Sequence, residues 1–413
     1  MKINQAISST LLVAVTEAIQ DGTVSKYGTY KFSDGWEKST LQAVGDDFTK
    51  SLIKALDGST LENFLRESLK VVEIESKVTV PKDGGKLSAL ECFSDPLKVA
   101  RGVVKQLEKL PIQYRMLIKV FQELSDRINR KDIEIRLSDR LNLLSGSMIP
   151  DSFMLNHEDD ELNAHFRGVN FKSQAPFTTS ETGLYIEYRA TGYLSLRRMS
   201  KTVGEFYDEV RAFYGGCIAY GIMGTFSFSS EQISPILIAN SLIDGNESFA
   251  FVDRAEEDVA KCANLATSND TDEKIERGDD LEKIMAPVLS IFRSENNAKL
   301  KTACAWALRA HLSARGLDKI LESAITIEVL MGDRDTSDRI GLSKLIANRC
   351  AYALGKSVAE RDDIINFFAQ FYRVRSEVVH SGRTSLHAEE RKIVDEGLSL
   401  ATRILQHEIS LAT

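Results

Sequence analysis

Between residues 281 and 408, apolar side chains recur at i, i+3, i+4 and i+7 through six successive segments, 281–292, 298–314, 317–331, 337–354, 361–379 and 385–408. Short polar or Gly-bearing turns separate them. Each such segment can bury its apolar stripe only as a helix, and each needs neighbours to cover that stripe. Residues 281–413 are therefore expected to close into an all-α bundle.

The chain before this block has a different texture. Residues 266–280, ATSNDTDEKIERGDD, offer almost nothing to bury and read as an acidic linker. Residues 145–265 carry short β-rich segments at 184–188, 193–196, 218–228, 235–238 and 249–252, with at least one helix, 204–214, and are expected to form a sheet-containing α+β region, for which a sensor or binding role fits no worse than catalysis. Residues 1–144 read as mostly helical. One strand is expected at 71–80, ahead of Pro81, and a long helix over 96–130 is expected to kink or turn at Pro111. The fold class is α+β, a mixed helix and sheet N-terminal region followed by an all-α bundle.

At 413 residues the chain is long enough for two or three domains. With 52 Lys and Arg against 60 Asp and Glu, it is not built to coat duplex DNA electrostatically, although a local basic site is compatible with that balance. Five scattered cysteines without a C-x-x-C pair support neither a disulfide framework nor a zinc site. The G-x-G-x-x-G, Walker A and H-E-x-x-H patterns are missing, so no cofactor and no metal are expected. The run Leu11 to Val15 is too short for a membrane span, and its flanks are unlike a signal peptide, which points to a cytoplasmic location without a membrane partner.

Two polar residues interrupt the apolar stripes of the bundle, Glu328 among Leu317, Leu321, Ala324 and Met331, and Arg349 among Leu342, Ile346 and Ala353. Buried charges demand partners, so a Glu328–Arg349 ion pair or a shared polar network is expected, either fixing helix register or supporting a nearby site. The next helix ends in Phe-Tyr-Arg-Val-Arg-Ser-Glu-Val-Val-His, which places Arg373, Arg375, Ser376 and His380 together, followed by a Ser381-Gly382-Arg383-Thr384 turn with Ser385 as the next N-cap. An imidazole can move protons and a guanidinium can hold a phosphorane, which is what cleavage of RNA by its own ribose 2′-OH requires. On one straight helix Arg375 and His380 would sit roughly 140° apart. Either the helix ends before His380, or the site is assembled across a two-fold dimer.

With ITIEVLM for one helix, LIANRCAYALG for a second and FYRVRSEVVHSG for a signature, the segment from about Leu317 to Gly382 resembles the Apea-like branch of the HEPN superfamily. The resemblance implies a dimerising bundle that cuts RNA through an Arg-x4-6-His motif, with Arg375 and His380 as the catalytic pair. It implies a supporting role for Ser376. Arg373, Arg383, Glu328 and Arg349 are the further candidates around that pair. Arg373 also fits the spacing, and Arg375 is preferred for the Arg-Ser-x-x-Val-His pattern. Gly382 stands where partner-controlled HEPN toxins carry a Tyr, so regulation through that tyrosine is not implied.

The expectation is therefore a metal-independent endoribonuclease acting on RNA as a homodimer. Such architecture resembles toxin or abortive-infection effectors of antiviral defence, with the N-terminal region recognising a phage-derived trigger. The alternative is a non-catalytic module that dimerises or binds RNA while the N-terminal region recognises a partner. Lesser candidates are the His157, Glu158, Asp159, Asp160, Glu161, His165 cluster, read as a solvated acidic loop, and His311 and His407, read as packed or capping. Trp36, Phe213, Tyr214, Tyr220, Phe226 and Phe228 are read as core.

Overall fold

The structure is a computed structural model that describes residues 1–76, 78, 81, 83–120, 124–125, 131–150, 181, 183–194, 201–224, 236–243, 246–263, 281–332, 341–381 and 383–412. The acidic segment 266–280 and the His157 to His165 cluster lie outside these residues, as do Phe226 and Phe228.

Five helices build the first region: α1 (Gln5–Asp21), α2 (Trp36–Val44), α3 (Asp46–Ala55), α4 (Leu61–Glu75) and α5 (Pro96–Glu108). A small antiparallel sheet of β1 (Thr23–Val24), β2 (Tyr30–Lys31) and β3 (Gly85–Lys86) completes it, in the order β2-β1-β3. Local caps set helix starts: Asn4 accepts from the Ile7 amide, and Asp95 from the Lys98 amide with Pro96 in the first turn. Trp36 is buried and donates its indole N–H to the Ala14 carbonyl at 2.8 Å, a core role.

The first half of the strand expected at 71–80 is instead the last turn of α4 over Val71 to Glu75, because Val72 continues the buried stripe of Leu61, Phe64, Leu65 and Leu69; residues 77, 79 and 80 lie outside the described residues. Tertiary burial overrides the β preference of the two valines there. The helix expected over 96–130 stops at Glu108, and Pro111 leads directly into a strand, β4 (Ile112–Lys119). Tyr114, Met116 and Ile118 on alternate positions enter the core, a period of two that the helical reading missed.

β4 lies inside a six-stranded antiparallel sheet with β5 (Glu134–Arg136), β6 (Leu141–Ser145), β7 (Leu184–Gly192), β8 (Ile236–Ile243) and β9 (Asn246–Arg254), in the order β5-β6-β7-β4-β8-β9. The sheet thus begins well before residue 145. Tyr193 and Leu194 follow β7 outside any strand, and Ile218 and Ala219 close a helix, α6 (Lys201–Ala219), which extends the one expected at 204–214. Phe206, Val210 and Phe213 of α6 share a core with Met116, Ile118 and Ile186 of the sheet, and the Tyr188 and Phe206 rings stand 5.8 Å apart. Phe213 and Tyr214 are buried, as the core reading required. α7 (Glu257–Ala263) is tied to α6 through Arg211, whose Nε donates to Asp258 at 2.6 Å.

Six helices follow: α8 (Leu281–Arg293), α9 (Asn297–Leu312), α10 (Gly316–Met331), α11 (Leu342–Leu354), α12 (Val358–Ser381) and α13 (Ala388–Leu411). Among the described residues these match the six expected segments within a few residues; 337–340, the start of the fourth, lie outside the described residues. The chain is α+β, with both sheets upstream of this helical block. Its hydrophobic cores do not divide at the acidic segment. One core unites the six-stranded sheet, α6 and the bundle, and a second fills the region of α1 to α5. α6 joins the sheet to the bundle through two glycines: a Cβ on Gly215 would fall 2.0 Å from the Cys304 carbonyl oxygen of α9, and one on Gly216 would fall 2.5 Å from Ile291 of α8. The first region is tied on through Asp57, which accepts from the Thr202 amide at 2.7 Å, and through Glu67, which accepts from the buried Tyr193 hydroxyl. Among the described residues no helix is long and apolar enough to cross a membrane.

Gly215→Ala should therefore destabilise the protein by about 1–3 kcal/mol through overpacking against backbone. Gly102→Ala on α5, with open space around its Cβ position, should be neutral or raise stability by about 0.5–1 kcal/mol. Urea unfolding of both variants beside the parent measures the contrast.

Candidate functional site

α12 presents three different faces. Phe368, Phe371, Val374 and Val378 are buried and fasten it to the bundle. Gly397 of α13 allows Phe371 to come this close, since a Cβ there would meet the ring at 2.2 Å. The opposite face, Arg373, Glu377 and His380, is exposed, with Arg373 70% accessible and its Nε 4.0 Å from Glu377. On the flank between them Tyr372, Arg375 and Ser376 are half-buried.

Arg375 is held by α10. Its Nη2 lies 3.3 Å from Glu328 Oε1, and its guanidinium sits 5.3 Å from the centre of the Tyr372 ring. The Tyr372 hydroxyl donates to the same Glu328 oxygen at 2.9 Å. Burial and then the Glu328 carboxylate push the Tyr372 hydroxyl up to about 12, so it stays protonated as the donor. Arg375 Nε is buried and has no acceptor among the described residues. Glu328 therefore does have a cationic partner, as its place in the stripe required, but the partner comes from α12. Arg349 on α11 donates from Nη1 to the Met331 carbonyl at 2.9 Å, at the end of α10. The contact expected to join Glu328 to Arg349 is replaced by two separate ones along α10.

α12 runs on through Ser381, so the helix does not end before His380. A five-residue step in a continuous helix turns about 500°, which leaves Arg375 and His380 roughly 140° apart and on different faces. A seven-residue step turns about 700° and returns to nearly the same face, so Arg373 shares the exposed stripe of His380 about two turns away. Ser376, four residues before His380, also adjoins that stripe. Within one chain the structure thus groups Arg373, Ser376 and His380, and separately Arg375, Tyr372 and Glu328.

The turn after α12 is pinned by Arg383. Its two terminal nitrogens donate to the two oxygens of Glu390 at 2.7 Å each, and one also reaches Glu377 at 3.1 Å. Glu390 additionally accepts the His387 amide at 2.7 Å, which makes His387 the N-cap of α13 in a reciprocal capping box and displaces Ser385 from that role. Arg383 and the capping contact hold the Glu390 carboxyl down to about 2. The last turn of α12, which bears His380, is thereby linked to the first turn of α13.

Of the other candidates, His311 packs inside the bundle with a ring nitrogen 3.2 Å from the Thr402 hydroxyl. His407 is half-buried on α13. Sequence reasoning missed the part of Tyr372; its spacing four residues before Ser376 and three before Arg375 was the available signal. No family model, curated protein or solved structure matches the chain.

Burial and the Lys319 cation push the His311 imidazole down to about 4. The unfolded chain then binds this proton more readily than the folded one, so stability present above about pH 6.5 should be lost as the pH falls toward about 4, by up to ~3 kcal/mol. Urea midpoints of the parent and His311→Gln at neutral and at mildly acid pH test this, and the variant should show the shallower dependence.

Proposed function

We propose that the chain is a metal-independent endoribonuclease whose C-terminal bundle is of the HEPN type and cuts RNA by 2′-OH attack. The observation that supports it most is the treatment of two motif residues on α12: Arg375 is oriented by Glu328 and Tyr372, while His380 is left exposed near the helix end. In the proposed step the ribose 2′-oxygen attacks its own phosphorus and the bond to the 5′-oxygen breaks, giving a 2′,3′-cyclic phosphate and a 5′-hydroxyl end. His380 moves the proton, and an arginine offsets charge on the non-bridging oxygens. The 140° separation of Arg375 and His380 favours a homodimer in which the α12 helices of two chains meet and each supplies part of the site. The reading continues to a cytoplasmic toxin or abortive-infection effector of antiviral defence, triggered when the upstream region recognises a phage-derived component.

One observation favours the second reading, a non-catalytic dimerisation or RNA-binding module. The Arg375 guanidinium is already engaged inside the chain by a carboxylate and a ring, as a structural arginine would be.

Cleavage of total RNA and tRNA in EDTA, with analysis of product ends, separates the two. The parent should leave 2′,3′-cyclic phosphate and 5′-hydroxyl ends. His380→Ala and Arg375→Ala should each lose activity about 10²-fold or more, and Arg373→Ala tells whether the arginine sharing the face of His380 does the work instead. His380→Ala should melt within about 0.5 kcal/mol of the parent, because an exposed side chain contributes little to stability. Cutting that persists in all three variants, or that needs a divalent metal, would sink the catalytic reading.

A further inference from the structure

A cleft of about 810 Å³ lies far from α12 in sequence, at the seam where sheet and bundle meet. Its walls are the β5–β6 turn with Arg136 and Arg140, the acidic stripe Glu205, Asp208 and Glu209 of α6, and Arg293 and Lys301 from α8 and α9. The size falls in the range of small-molecule sites, roughly 300–1,000 Å³.

Most of the charges that line it are already paired. Lys301 Nζ lies 2.8 Å from Glu209 Oε1, Arg136 pairs with Asp139 across its own turn, and Asp208 meets Arg211 at 3.2 Å. Two groups stand apart. Glu209 Oε2 is buried and has no hydrogen-bond donor among the described residues, a costly state for a carboxylate. Arg293 is exposed and makes no ion pair among the described residues; its Nη2 donates to the Arg136 carbonyl at 2.9 Å. Arg140 is held only loosely, by Glu205 at 3.6 Å. At the cleft a carboxylate oxygen without a donor thus lies near one guanidinium without an anion among the described residues, Arg293, and a second, Arg140, whose pairing with Glu205 is long.

We propose that this cleft binds a small monophosphorylated molecule carrying hydroxyl or amino donors, a nucleotide or a sugar phosphate. Arg293 and Arg140 take the phosphate, for which the planar guanidinium fork is suited. Glu209 and Glu205 accept from the donors, as carboxylates do from sugar hydroxyls. The acidic stripe of α6 disfavours a polyphosphate chain by like-charge repulsion, and the four cations disfavour a polyamine. The site does not depend on the nuclease reading. Because its walls come from the sheet, α6 and the first helices of the bundle, an occupant would bind all three together and raise stability by mass action.

Calorimetry and thermal melts of the full-length chain with AMP, a hexose phosphate, ATP and spermidine test it. AMP or the hexose phosphate should bind saturably and raise Tm, with ATP weaker, and whichever of the two gives heat identifies the source of the phosphate. Arg293→Ala, at an exposed position, and Glu209→Gln should each weaken binding by about tenfold or more. The proposal is overturned by any of three results: neither monophosphate binds at up to about 10 mM, binding is unchanged in both variants, or spermidine binds in their place.

Discussion

The contact on which the architecture turns is the approach of α6 to α9 at Gly215, where the absence of a side chain lets one helix meet the carbonyl of Cys304 on the other. Helices separated by ordinary side chains pack with their axes about 8–10 Å apart, and only glycine permits a closer seam. With that seam in place, α6 is covered by the sheet on one side and by the bundle on the other, and nearly every residue from Val210 to Ala219 is buried. A helical stretch buried on all sides, as the second half of α6 is, is stable in water only inside such a sandwich. The sheet and the helical block are consequently two layers of one core and not separate bodies on a linker.

α12 shows how a single helix can carry incompatible tasks by dividing its circumference. Its buried face supplies the attachment, its flank supplies an arginine tied to Glu328, and its outer face leaves His380 open. Glu328 is half-buried, so its pairing with Arg375 and its bond from Tyr372 are less screened than a surface pair would be. An arginine restrained in this way has lost rotamer freedom before any ligand arrives, which is what pre-organisation means for a binding group.

The helical block was legible because its signal is local: six stripes of period 3.6 fall on six helices. β4 was not, because apolar residues on both sides of Pro111 satisfy a helical period as readily as an alternating one, and only its neighbours β7 and β8 decide the matter. The same limit applies at the site. The inward position of Glu328 follows from its place in the stripe, but which cation it meets depends on how α10 lies against α12 and α11, and chain order does not encode that. The seam at Gly215 was also silent, since one glycine in an apolar helix looks like a weak point until its neighbour is seen.

The strand order carries a consequence for how the chain is made. β4 occupies an inner position in the sheet, yet both strands that flank it, β7 and β8, come much later in the chain. While the polypeptide emerges from the ribosome, the helical region of α1 to α5 can gather its own separate core, but β4 must wait with both edges bare. Such a strand is a template for wrong partners. The period between the appearance of Lys119 and that of Ile243 is therefore when a nascent copy is most exposed to misassembly, and when a chaperone has most to shield.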